Sequence, residues 1–401
     1  MKLVPKLRFP EFRRGSGWKF VPLHRLAIRG KQKNRDEGVD RVLTNSAEFG
    51  VIDQRDFFDK EIATQGKLEG YYVVELGDYV YNPRTSATAP VGPISKNNRA
   101  TGVMSPLYTV FRFKDPENDF YQHYFKTSGW HSYMRQASST GARHDRMAIG
   151  SADFMAMPLP VSLPHEQQKI ADCLSSLDEL ITAQARQVDA LKSHKKGLSQ
   201  QLLPREGETQ PQLRFPEFQG AAGWERRALR LTCEMQAGKF VSASEIQEQN
   251  GEGLYPCYGG NGLRGYTATF THSGSYALVG RQGALCGNVK MGVGQFHATE
   301  HAVVVTPANG VKTDWLFFVL DLLNLNRFAT GQAQPGLSVD VLEKLSIAIP
   351  SQESEQQKIA DCLSSLDELI AAQDRKVKAL KTHKKALMQQ LFPTTETAVT
   401  T

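Results

Sequence analysis

One long segment of this chain occurs twice. Residues 166–204 and 355–393 are identical at 31 of 39 positions, differing only at 182, 185, 187, 189, 193, 197, 199 and 203 of the first copy. Each copy opens with EQQKIADCLSSLDELI. In the first, Ile170, Leu174, Leu177, Ile181, Val188, Leu191 and Leu198 follow alternating spacings of four and three, with Gln184 and Lys195 filling two places in the series. In the second, Ile359, Leu363, Leu366, Ile370, Val377, Leu380 and Leu387 repeat the pattern, interrupted by Gln373 and Lys384. This is a heptad seam. Pro164 precedes the first helix, and Pro204 and Pro393 stop both. Each helix reaches roughly 55 Å. Two packings are open: each helix lies on its own domain, or the two pair as an antiparallel coiled coil. Identical seams pair well with each other, so pairing explains more. It would hold two domains apart like a ruler, related by a pseudo-twofold axis.

A second element recurs. KLRFPEFRRGSGW ends at Trp18 and QLRFPEFQGAAGW ends at Trp224, an offset of 206 against 189 for the helices. The intervening regions keep faint landmarks. Gly77 and Tyr79 precede Arg84 as Gly274 and Tyr276 precede Arg281, and a Gly-rich loop leads to a proline at Gly141–Pro160 and Gly331–Pro350. The expected class is α+β: two mixed α/β domains of one fold separated by two long helices. The boundaries read as a first variable domain at 1–163, a helix at 164–204 and a linker at 205–212. A second variable domain at 213–351, a helix at 352–393 and a disordered tail at 394–401 complete the chain.

Composition narrows the function. At 401 residues there is room for two or three cores. No signal peptide or membrane span is legible, and the most apolar stretch, 315–325, is too short and contains Asp321. Five cysteines without a CxxC pair fit free thiols in a reducing cytoplasm and no structural zinc. Net charge is +6. Acids are missing from residues 79–114, 120–144 and 253–299, where Arg, Lys, Asn and Gln are scattered. Such surfaces suit phosphate contact and base-edge hydrogen bonding. Candidate contacts in the first domain are Asn82, Arg84, Lys96, Asn98, Arg99 and Arg143. In the second they are Asn261, Arg264, Arg281, Gln282, Gln332 and Gln334. Arg84 and Arg281 lead, because they follow strand-like runs at equal spacing.

Three motifs suggest enzymes and lack the context. GNGLRG at 260–265 fits GxGxxG, yet strand-like YTATF follows it where a nucleotide site needs a helix. HATEH at 297–301 fits HxxEH, yet AVVVT follows and argues for a strand. YNPR at 81–84 lacks the second proline and the aromatic of amino-methyltransferase motifs. No catalytic or metal-ligating set is evident.

Duplicated variable regions, the paired EQQKIA helices and YPCYGGNGLRGYT…VGRQGALCGNV…ATEHAVVV resemble the specificity subunit of type I restriction–modification systems, over roughly residues 5–393. The resemblance implies a non-catalytic, double-stranded-DNA-binding subunit. Each variable domain would read one half of a split site. The helices would set the spacer and dock two modification subunits, which carry S-adenosylmethionine. Restriction subunits with ATP and Mg would join the full complex. Alternatives are a DNA methyltransferase with its own cofactor site, a coiled-coil adaptor for proteins only, and a specificity-like subunit of another phage-defence complex.

Overall fold

A computed structural model describes residues 4–36, 38–55, 68–140, 145–283, 285–331 and 335–393. The expected disordered tail, Arg143, Gln332 and Gln334 lie outside them. The chain divides into two compact units: residues 1–183 with 376–401, and residues 184–375. Both repeated segments are continuous helices of 39 residues, Pro164–Leu202 and Glu353–Leu391, so each helix contributes one part to each unit.

In the first unit, a four-stranded antiparallel sheet runs in the order Ala27–Arg29, Thr109–Phe113, Tyr79–Tyr81, Ile94–Lys96. Its core is aromatic. Tyr79, Phe111, Phe113 and Phe125 pack ring on ring at centroid distances of 5.0–6.1 Å. Short helices Asp119–Tyr124 and Ser151–Met155 add Phe120, Tyr124 and Phe154. Ile170 and Leu174 of the first long helix, and Met388, Leu391 and Phe392 at the end of the second, close the same core. Two separate hairpin-like pairs, Leu43–Ser46 with Gly50–Asp53 and Tyr72–Val74 with Gly102–Met104, sit on a smaller core of Leu43, Val74 and Val80.

The second unit repeats this plan. Cys233–Ala237, Ala302–Pro307, His272–Gly280 and Val289–Ala298 form the same strand order with the same antiparallel sense. Here the sheet continues. Tyr255–Gly259 pairs parallel with Val289–Ala298 and antiparallel with Gly262–Thr267, giving six strands. The Phe296 ring lies back over its own strand: a Cβ on Gly292 would lie 2.9 Å from it, four residues earlier. Helix Thr313–Leu322 takes the place of Asp119–Tyr124 and buries Trp315, Leu316 and Leu320 against Ile359 and Leu363.

The recurring motifs meet each other. Arg8 of the first LRFPEF clamps Glu166, the first residue of EQQKIA, with bonds of 2.6 and 2.7 Å. Arg214 clamps Glu355 through Nε and Nη2, each at 2.7 Å. Lys169 reaches Glu11 at 3.0 Å, and Lys358 reaches Glu217 at 3.3 Å. A strand pair completes each frame: Lys19–Pro22 with Pro158–Val161, and Glu225–Ala228 with Ser346–Ile349. Arg8 and Arg214 differ by 206, and Glu166 and Glu355 by 189, so one contact is built twice.

The polar seam residues obey the same rule. Lys195 holds both carboxylate oxygens of Asp367 at 2.6 Å, while Lys384 holds Asp178. Lys192 meets Asp374 while Lys195 meets Asp367, so the first helix number rises as the second falls: the helices run antiparallel. The apolar seam residues lie inward. Ile170, Leu174, Val188, Ile359, Leu363, Ile370 and Val377 are buried. Leu177, Ile181, Leu191, Leu198, Leu366, Leu380 and Leu387 are half-buried.

Candidate nucleic-acid interface

In the second unit, two glycine-containing turns and the segment Thr299–His301, distant in sequence, converge at one end of the sheet. Gly260 and Asn261 form the turn between strands Tyr255–Gly259 and Gly262–Thr267. A Cβ on Gly280 would fall 1.9 Å from the Gly260 carbonyl oxygen, so the two backbones touch and no side chain fits between them. The Arg281 amide donates to the His301 carbonyl at 2.9 Å, and Thr299 donates to Tyr258 at 2.8 Å. Residues 259–264, 280–282 and 299–301 thereby form one surface. Asn261, Arg264 and Gln282 are exposed on it, and Arg281 is half-buried. Lys290 lays its stem against Gly262. Glu300 is the acid there, and its Oε1 is 3.3 Å from His301 Nε2.

The enzyme-like motifs dissolve in this geometry. GNGLRG is the turn and second strand of a hairpin, so no helix N-terminus follows it to hold a phosphate. His297 ends a strand with both ring nitrogens committed, to Thr269 at 2.9 Å and to the Lys239 carbonyl at 3.1 Å. Among the described residues no group of three or more His, Cys, Asp or Glu is placed to hold a metal.

In the first unit, Arg84 is exposed and bridges Arg146 through its backbone just after strand Tyr79–Tyr81. That strand is the topological counterpart of His272–Gly280, which Arg281 follows. Asn82 is not on the surface: it is buried, donates to the Asn45 carbonyl at 2.9 Å and accepts from the Arg84 amide at 3.0 Å. It shapes the loop that presents Arg84. Lys96 pairs with Asp119 at 2.6 Å, and Asn98 donates to Gln122 at 3.1 Å. Lys96, Asn98 and the exposed Arg99 line a groove together with Lys126 and the helix residues Lys381, Lys384 and Lys385. Beneath it, burial together with Lys384 and Lys126 pushes the His123 imidazole down to about 4. Burial also lowers Lys384, against the opposing pull of Asp178.

Sequence reasoning missed two things. The heptad pattern singles out Lys195 and Lys384 only as interruptions of the seam and says nothing of Lys381 and Lys385, and it does not foresee the Arg–Glu clamps. The signal for the clamps was present, because LRFPEF and EQQKIA recur together.

Residues 222–382 match the family described as the type I restriction modification DNA specificity domain. That match takes in most of the second variable region and most of the second long helix, and marks this part of the chain as similar to type I specificity domains. The chain is 48% identical over 145 residues to the "Type I restriction enzyme EcoprrI specificity subunit" of Escherichia coli, which is 36% of either chain. It thus spans about a third of that relative's length. It is 23% identical over 318 residues, 73% of each chain, to the MjaVIII specificity subunit of Methanocaldococcus jannaschii. Its fold matches that of the type I restriction–modification S subunit from M. genitalium with a TM-score of 0.64 at 15% identity, covering 98% of this chain and 99% of that one.

Proposed function

We propose that this chain is the DNA-reading subunit of a type I restriction–modification complex. Each variable domain reads one half of a split duplex site. The observation that carries this is one frame built twice around two different exposed surfaces. The Arg–Glu clamps and the shared four-stranded sheet recur, while Arg84 in one unit and Asn261, Arg264 and Gln282 in the other face outward. Surfaces with few carboxylates and several arginines and amides suit phosphates and base edges. The repeated helices set the spacer and dock two modification subunits, and restriction subunits join that core. This chain acts without a cofactor. S-adenosylmethionine belongs to the modification subunits, and ATP and Mg to the restriction subunits. No described helix is long and apolar enough to cross a membrane, and the place of action is the cytoplasm with its DNA.

The test is a base-resolution map of N6-methyladenine. It uses a host lacking other adenine methylation that expresses this chain with its modification subunit. A split motif with a fixed gap, absent when this chain is omitted, is the expected result. Arg84→Ala should then relax one position in one half and Arg281→Ala one in the other, each costing ~1–3 kcal/mol. A motif in which both halves change together would defeat the assignment of one domain to one half.

A further inference from the structure

We propose that the groove of the first unit is a track for the DNA phosphodiester backbone, formed by the second long helix as much as by the recognition domain. This rests on the DNA-reading assignment above. The groove has a volume of about 940 Å³. Its walls carry Lys96, Arg99, Lys126, Lys381, Lys384 and Lys385. Against them stand Glu48 and Asp178, so the lining is +4 in a chain of net charge +6.

Part of that charge is already used. Lys126, at 3.6 Å, and Lys384 share Asp178, and Lys96 is held by Asp119. Arg99, Lys381 and Lys385 are exposed and make no ion pair among the described residues. Lys381 and Lys385 are one helical turn apart, on the face that also carries Met388 and Phe392. Three uncompensated cations in a concave lining concentrate positive potential, and this is the chemistry that releases counterions from a polyanion.

The second unit shows why this track is one-sided. Lys192 there corresponds to Lys381 and is neutralised by Asp374 at 3.3 Å. Asp374 corresponds to Ala185, so the first helix brings no such acid to Lys381. An alternative occupant, an acidic segment of a partner protein, would use the same lysines and is an outcome of the test.

The experiment uses the full chain assembled with its modification subunit and a duplex bearing the mapped site, with affinity measured against salt. Lys381→Gln/Lys385→Gln should lower the slope of log K on log salt by about 1.8 and weaken binding ~10- to 100-fold at 0.1 M salt. The recognised letters should not change. Lys192→Gln, at the lysine already paired with Asp374, should leave the slope as it is. An unchanged slope in the double variant overturns the track, and an unchanged slope with weakened assembly assigns the groove to a protein partner instead. A wild-type complex without sequence-selective binding overturns the DNA-reading assignment and the track together. Selective wild-type binding with an unchanged slope overturns the track alone.

Discussion

The two units are built from the same frame and finished differently. Both clamp a buried glutamate at the start of a long helix, and both run four strands in one order. Beyond that they part. The first unit adds two separate strand pairs to its sheet and fills its core with rings, while the second extends its sheet to six strands over Val303, Val305 and Leu316. Even identical helix residues meet different neighbours. Lys384 faces Asp178 beside His123 and Lys126, whereas Lys195 faces Asp367 beside Phe318 and Asp321. The clamps and the Lys–Asp pairs join recurring residues to recurring residues, whereas the cores beside them are filled by residues particular to each domain.

The clamps give the largest effect with which to test this. Removing one partner of a buried ion pair costs about 3–5 kcal/mol, because the other charge stays buried alone. Arg8→Ala should do this to Glu166, which is fully buried. Arg214→Ala should cost about 1 kcal/mol less. Glu355 keeps a hydrogen bond from the Trp224 indole at 3.2 Å, whereas the Trp18 indole nitrogen has no partner among the described residues. Amide hydrogen exchange in the full chain reports each unit separately. Equal losses in the two variants would mean that Trp224 contributes nothing to the second clamp.

Acid should separate the units next. The folded-state value of His123, about 4, lies well below its ordinary 6.5. Its ring faces Ser175 at 3.0 Å, with Asp178, Lys126, Lys384 and Asp119 around it. A depressed value means that the unfolded chain takes up the proton first. The contribution is therefore complete above pH 6.5 and is lost as pH falls toward 4, by up to about 3 kcal/mol. The first unit should lose exchange protection in that window and His123→Gln should flatten the loss. A first unit as acid-resistant in the wild type as in the variant would refute it.

Much of this was legible beforehand. Heptad spacing is a strong signal, and the long helices fall where Ile170 to Leu202 and Ile359 to Leu391 place them. The equal spacing of Arg84 and Arg281 anticipated topologically equivalent strands. What failed was local. A buried Asn82 reads like a surface amide, because its partners are main-chain groups, the Asn45 carbonyl of a distant strand and the Arg84 amide, which carry no sequence signature. The groove was hidden for the same reason, since nothing in a heptad says which domain its outer lysines will border.

The smallest difference concerns the seam lysines. Asp178→Ala leaves Lys384, with only 9% of its side chain exposed, next to Lys126 and an uncharged His123. Asp367→Ala leaves Lys195, at 18% exposure, over the Phe318 ring at 5.0 Å and within the field of Asp321. The first change should cost about 1–3 kcal/mol and the second under about 1 kcal/mol, read from urea unfolding at pH 7. A pH series distinguishes charge burial from lost packing. Burial already lowers Lys384, and deleting its carboxylate lowers it further. A depressed lysine is destabilising while it is charged, so the Asp178→Ala protein should regain part of its stability as pH rises from 7 toward the ordinary lysine value of 10.5. Lost packing has no such dependence. If the deficit stayed constant with pH, the polar seam would be a matter of shape, and the contrast between the two units would rest on their cores alone.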